Sequence, residues 1–266
     1  IIDTTPATTT TTTAPPATTA FDVAAFGDVP YTTDAMARYD AMIASINARA
    51  PAFSVHVGDI GTRVTACNTA AVDRETIRFD TFQRALVYTP GDNEWADCGT
   101  AQTSQLAYLR SRVFRSTGTR SRGTAPLTLT SQAAAGYPEN ARWNRGRVTF
   151  ATLHVVGSSD NGTNPAERSA RQAATAAWLR ATFAEAKARG DRGVVLFAQA
   201  APAFGSPTSV YKVIYEALRA ETLGFPGPVL YIHGDGHTYV NDRPMSGVAN
   251  LQRIEVEGSS LVSYVN

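Results

Sequence analysis

Five short stretches place polar, cation-binding side chains directly after apolar runs: GDVPY (27–31), VGDIG (57–61), GDNE (91–94), FAQAAP (197–202) and GDGH (234–237). They supply Asp28, Asp59, Asp92 with Asn93, Gln199, and Asp235 with His237. A single Gly-Asp pair is an ordinary turn. Four of them, each closing an apolar run, set carboxylates beside carboxylates, and like charges at close quarters disfavour the ionised form. The physical remedy is a cation. Carboxylate and amide oxygens are hard donors that favour Mg²⁺, Mn²⁺ or Ca²⁺, whereas Zn or Fe suits a set richer in imidazole.

The elements that must position these residues are legible from period and punctuation. FDVAAFGD, FSVHVGD, VYTPGDNEW, RVTFATLHVVGSSDN (147–161), GVVLFAQAAP and PVLYIHGDGHTY read as strands that end in polar residues. MARYDAMIASINAR (36–49) carries Met36, Tyr39, Met42, Ile43 and Ile46 on one helical face. RETIRFDTFQRAL (74–86) and ARQAATAAWLRATFAEAKAR (170–189) read as further helices, the latter with Trp178, Leu179 and Phe183 on its apolar stripe. Alternating strands and helices predict an α/β fold with parallel strands, whose carboxyl edge is where ligands bind. The end of the chain, LQRIEVEGSSLVSYV (251–265), reads as a closing hairpin turning at Glu257–Ser260, and the segment between Trp95 and Gly146 as loop-rich.

Composition bounds the function. The chain has 266 residues, 43% hydrophobic and 18% charged, with a formal charge of +1, so it carries no electrostatic footprint for nucleic acid or an anionic membrane. No apolar run approaches the roughly 18 residues of a membrane span. Residues 1–20, rich in Thr, Pro and Ala, cannot bury enough surface to offset their ordering entropy and read as a disordered tail, leaving 21–266 as one domain. Such a tail suits an exported stalk or a plain linker. The first residue is Ile rather than Met, so a missing signal peptide says nothing about export. Cys67 and Cys98 are two buried thiols in a cytosolic protein and a disulfide in an exported one. The tail favours the secreted, bridged alternative.

In order and spacing, the five stretches resemble the calcineurin-like metallophosphoesterase superfamily, which includes the purple acid phosphatases. That family runs Asp, GD, GNH(D/E), His and GHxH, each at a strand end, and the likeness covers roughly 21–240, down to an AWL segment before the fourth element. It implies a four-layer αββα sandwich, two mixed sheets flanked by helices. Carried over position by position, it implies one metal held by Asp28, Asp59 and His237, and a second held by Asp59, Asp92, Gln199 and Asp235. The departures are specific. Pro30 stands where many members have a histidine ligand, Asp92 replaces a metal-binding Asn, and Asn93 replaces the catalytic His. Gln199 replaces the fourth-motif His, and Asp235 replaces the first His of GHxH.

The implied reaction is hydrolysis of a small phosphate ester, monoester or diester, by a metal-activated water in a monomeric enzyme. The alternative is a catalytically reduced metal- or ligand-binding protein on the same scaffold, and a calcium-stabilised structural domain is a third reading. His233 and His154 are the candidate catalytic substitutes for the lost imidazoles; the default reading of His154 is a core histidine, and His56 reads as packing or as support behind the site. Asn161, in the expected rim loop GSSDNG, and Glu94 are candidates for substrate contact.

Overall fold

The computed structural model describes residues 20–206 and 208–266, so all but the last residue of the tail expected over 1–20 lies outside the described residues. Three strands, β1 (Ala24–Phe26), β2 (Ser54–His56) and β3 (Leu86–Tyr88), form a parallel sheet in that order. Isolated antiparallel bridges, Ala25 with Val265 and Leu86 with Arg122, extend it on both edges. The larger sheet is mixed, in the order β4-β5-β6-β7-β8-β10-β9. Its strands are β4 (Thr130–Gln132), β5 (Tyr137–Arg145), β6 (Val148–Thr152), β7 (Gly193–Phe197), β8 (Val229–His233), β9 (Val240–Asp242) and β10 (Leu251–Glu255).

Alternation along the strands builds three cores and hence four layers. Val55, Val87, Phe150, Phe197 and Ile232 point between the sheets. Phe26, Leu86 and Tyr88 point the other way, onto α1 (Thr33–Arg49), α2 (Thr69–Phe79) and α3 (Gln102–Arg112). Ala151, Leu196 and Tyr231 face α5 (Pro165–Arg189) and α6 (Lys212–Leu223). The αββα sandwich expected from the sequence is therefore the architecture observed. Its helices start where side chains cap them: Thr32 accepts from the Ala35 N–H, Asn68 from Ala71 and Asn164 from Glu167.

Four expectations change. The second helix begins earlier and ends at Phe79, because the chain then turns to bury Phe82 in a stacked contact with Phe26, centroids 5.8 Å apart. The long strand stops at Thr152, and 157–161 (α4, Gly157–Asn161) forms a single left-handed turn. The loop-rich stretch contains α3, β4 and β5. LQRIE does not fold back as a hairpin: β10 lies parallel to β8 and antiparallel to β9, and the following segment crosses to β1 at Val265. The reason is burial, since Val256 lies in the core between the sheets and the partly buried Ile254 and Val265 pack against it.

Cys67 and Cys98 are joined, 31 residues apart in sequence, as the sequence suggested. Their sulfurs lie 3.3 and 3.7 Å from the Asn93 carbonyl oxygen, so the bridge backs the 91–94 turn. Closing a loop of this length stabilises by about 3–4 kcal/mol in the chain-entropy model. Replacing both cysteines by serine should lower the unfolding free energy in urea by about that amount. Thiol titration of denatured, unreduced protein should find no free thiol.

Candidate metal centre

In-register pairing brings the ends of β1, β2 and β3 level, with Phe26 opposite His56 and His56 opposite Tyr88. Asp28, Asp59 and Asp92 therefore emerge along one edge. From the larger sheet, β7 delivers Gln199 and β8 delivers Asp235 and His237 to the same edge. Asp28, Asp59, Asp235 and His237 all hold positive φ, 55°, 60°, 73° and 61°. This left-handed backbone is unfavourable for residues other than glycine and concentrates at functional sites.

Asp28, Asp59 and His237 each offer one ligand atom within 4.8 Å of the others. His237 Nε2 lies 3.3 Å from Asp28 Oδ1, and this bond raises the imidazole's affinity for a proton. Asp28 also accepts the Asp235 N–H at 3.2 Å. Asn93 Nδ2 donates to Asp59 Oδ2 at 2.8 Å, to Tyr31 Oη at 2.9 Å and to the Gly61 carbonyl at 3.0 Å. The Tyr31 hydroxyl donates to Asp59 Oδ2 at 2.7 Å and lies 3.3 Å from His237 Nε2. Beside this group, Gln199 Nε2 donates to Asp92 Oδ1 at 2.9 Å and to Asp235 Oδ1 at 3.1 Å. Ser158 Oγ donates to Asp92 Oδ2 at 2.7 Å.

Burial, then the charges of Asp92, Glu94 and Asp28, push Asp59 well above the carboxylate range. Burial likewise raises Asp28, against the pull of His237. Asp92 rises from 3.8 to about 7, through burial and then the charge of Asp235. The donor set fits a cation at Asp28, Asp59 and His237: two buried carboxyl groups that burial disfavours as ions, with an imidazole beside them.

The remaining expected residues go elsewhere. Glu94 is fully buried, and its Oε1 accepts from the Tyr88 hydroxyl, from Gly91 N–H at 2.6 Å and from Asp59 N–H at 3.2 Å. It pins the second motif to the third instead of meeting a substrate. Gly91 is required there, since a Cβ would collide with Asp59 Oδ1. Asn161 is buried, donating to Glu167 Oε2 at 2.9 Å and accepting from Thr163. His154 is buried against Glu139, Nδ1 to Oε1 2.7 Å, and burial lowers its affinity for a proton. His233 is buried with Nδ1 on the Gly234 carbonyl, 2.7 Å, while its Nε2 has no hydrogen-bond partner among the described residues and lies 3.8 Å from Glu255 Oε2. His56 packs edge-on against Phe26 and is held neutral by burial, at about 3. Two residues escaped the sequence reading. Tyr31 lies inside the quoted GDVPY, and Glu255 ends β10, level with His233.

Because the folded state raises Asp92, it holds a proton that the unfolded chain has shed. That contribution to stability is complete below 3.8 and is lost as pH rises through about 7. Asp92→Asn, neutral at every pH, should match the wild type at pH values near 4 and be the more stable above 7. Calorimetry of both proteins in chelator checks this.

No family model matches the chain, and no curated protein does. Among solved structures, the fold is similar to that of a dimetal phosphatase from Danio rerio, with a TM-score of 0.59 and 14% identity over 89% of this chain and 87% of that one. Identity this low establishes the shared fold alone.

Proposed function

We propose that the chain is a metal-dependent hydrolase of phosphate esters acting on a small phosphorylated substrate. The observation that carries this reading is the convergence of Asp28, Asp59 and His237, from three strand ends and both sheets, into one ligand-sized cluster. A divalent cation bound there, Mg²⁺, Mn²⁺ or Ca²⁺ by the hardness of the donors, would polarise phosphoryl oxygens and acidify a water. The chain's own residues do the rest. Asp28 and Asp59 supply compensating negative charge, and Asp28 fixes the His237 ring. Tyr31 from the first motif and Asn93 from the third both donate to Asp59 Oδ2. The Cys67–Cys98 bridge suits an oxidising compartment and hence an extracytoplasmic setting.

The rival reading, a protein that binds metal without turnover, has one observation in its favour. Asn93 stands where the resembling family has its catalytic imidazole, and its amide is committed to Asp59, Tyr31 and Gly61. One experiment separates the two. Chelator-stripped protein is assayed against aryl phosphates with Mn²⁺, Mg²⁺, Ca²⁺ and Zn²⁺, alongside its melting temperature. Hydrolysis that returns with metal and is lost in Asp59→Asn supports the enzyme. A metal-dependent rise in melting temperature without hydrolysis supports the binding protein.

An amide donates a hydrogen bond but gives up no proton near neutral pH, and general-acid help is worth about 10²–10⁴-fold, most for poor leaving groups. Aryl phosphates should therefore turn over far faster than alkyl phosphates, with rate falling steeply as leaving-group pKa rises. Asn93→His should flatten that slope by raising the alkyl rates. A flat slope in the wild type would show that another acid is already in place.

A further inference from the structure

The second group of donors, Asp92, Gln199 and Asp235, is spanned by a single buried side-chain amide. Gln199 is fully buried, and its Nε2 bridges Asp92 Oδ1 and Asp235 Oδ1 at 2.9 and 3.1 Å. Asp92 Oδ2 takes the Ser158 hydroxyl. The direction of the amide is dictated by its other end, where Oε1 accepts the Gly157 N–H at 2.6 Å. Turning the amide over would set NH₂ against N–H and a carbonyl oxygen against two carboxylates, which leaves every group facing its own kind. Gln199 therefore meets the carboxylates as a donor, and its lone pairs point away from them.

Space is taken as well. A Cβ built on Gly157 would collide with Asp235 Oδ1 and lie 3.0 Å from Asp92 Oδ1, so the backbone itself presses on both carboxylates. That backbone is held from behind. Arg171 Nη1 grips Asp160 Oδ1 at 2.6 Å, the Tyr211 hydroxyl donates to the Val156 carbonyl at 2.8 Å, and Asp160 N–H donates to Tyr211 Oη at 3.1 Å. Ser158, Ser159 and Asp160, all at positive φ, form the turn that sets Ser158 on Asp92.

We infer that the Gln199 amide and the Gly157 turn occupy the place of a second cation, so that the chain holds a single metal ion, at Asp28, Asp59 and His237. The inference rests on the proposed function only for those three ligands. It departs from the dimetal character of the solved structure that shares the fold.

The test counts ions without asking for activity. Metal-stripped full-length chain is loaded with excess Mn²⁺, passed through gel filtration, and read by elemental mass spectrometry and electron paramagnetic resonance. The wild type should carry one Mn²⁺ per chain with the hyperfine pattern of an isolated ion. Gln199→Glu and Gln199→His, which turn lone pairs toward Asp92 and Asp235, should carry two, with an exchange-coupled signal. Asp92→Asn, outside the retained cluster, should keep one ion, and Asp59→Asn should keep none; these two variants carry the test if the Gln199 variants fail to fold. Two coupled ions in the wild type, or loss of the ion in Asp92→Asn, would overturn the inference. So would a count that stays at one in both folded Gln199 variants. No bound ion in the wild type would overturn the proposed function together with the inference, an outcome distinct from a count of two.

Discussion

Mutual repulsion among buried carboxyl groups is the constraint around which this edge of the molecule is arranged. Asp28, Asp59, Asp92 and Glu94 are nearly or wholly out of solvent, and each is pushed above the ordinary carboxylate range. Left free, loops carrying such groups would swing apart and let water in. They are prevented from doing so by fixed backbone. Glu94 ties the Asp59 N–H to the 91–94 turn, Gly91 allows that turn to touch Asp59, and the disulfide backs the Asn93 carbonyl. The edge is thus held in place by its own backbone and side chains, an arrangement that would cost little to bind a cation.

The repulsion is met differently in the two halves. Around Asp28 and Asp59 the partners are an imidazole, a phenol and an amide. His237 is half-exposed, so solvent reaches this group. Around Asp92 and Asp235 the partners are a buried amide and a hydroxyl under a backbone turn that is itself strained. Neutral donors satisfy the oxygens without removing their charge, so Asp92 shares its excess with a proton and reaches about 7. The first half pairs its carboxylates with an imidazole that solvent reaches; the second is spanned by the buried Gln199 amide.

How much of this was legible in sequence follows from the reach of each signal. Strand ends punctuated by Gly-Asp were readable because the signal is local, and with them came Asp28, Asp59, Asp92, Gln199, Asp235 and His237 on one edge. What those groups do to one another was not. That Gln199 donates instead of ligating depends on Gly157, 42 positions away. Tyr31 reads as packing until its hydroxyl is seen on Asp59, and Glu255 sits in a segment whose alternation suits a hairpin. The helix α6 was missed although its apolar spacing is clear, and α3 because its face is broken by Gln102 and Gln105, which are buried polar residues. His154 and His233 were candidates to replace the lost imidazoles; both are buried, with Nδ1 on Glu139 and on the Gly234 carbonyl.

Because the cluster straddles two sheets, its dimensions are set in the hydrophobic core beneath it. Asp28 and Asp59 ride on β1 and β2, while Gln199, Asp235 and His237 ride on β7 and β8, and no strand-to-strand hydrogen-bond ladder joins the two sets. The spacing between sheets is fixed by side chains: Phe53 against Phe150 at 4.9 Å, Phe53 against Trp143 at 5.3 Å, and Phe197 and Ile232 packed with Val55 and Val57. Core packing at this density transmits volume changes instead of absorbing them. The terminal segment adds a second tie, since the chain leaves β10 in the large sheet and closes on β1 in the small one, passing Gly258 against Asp28 on the way. The distance from Asp28 to His237 is therefore a property of the whole sandwich, and the aromatic layer between the sheets is as much a determinant of the metal site as the ligands themselves.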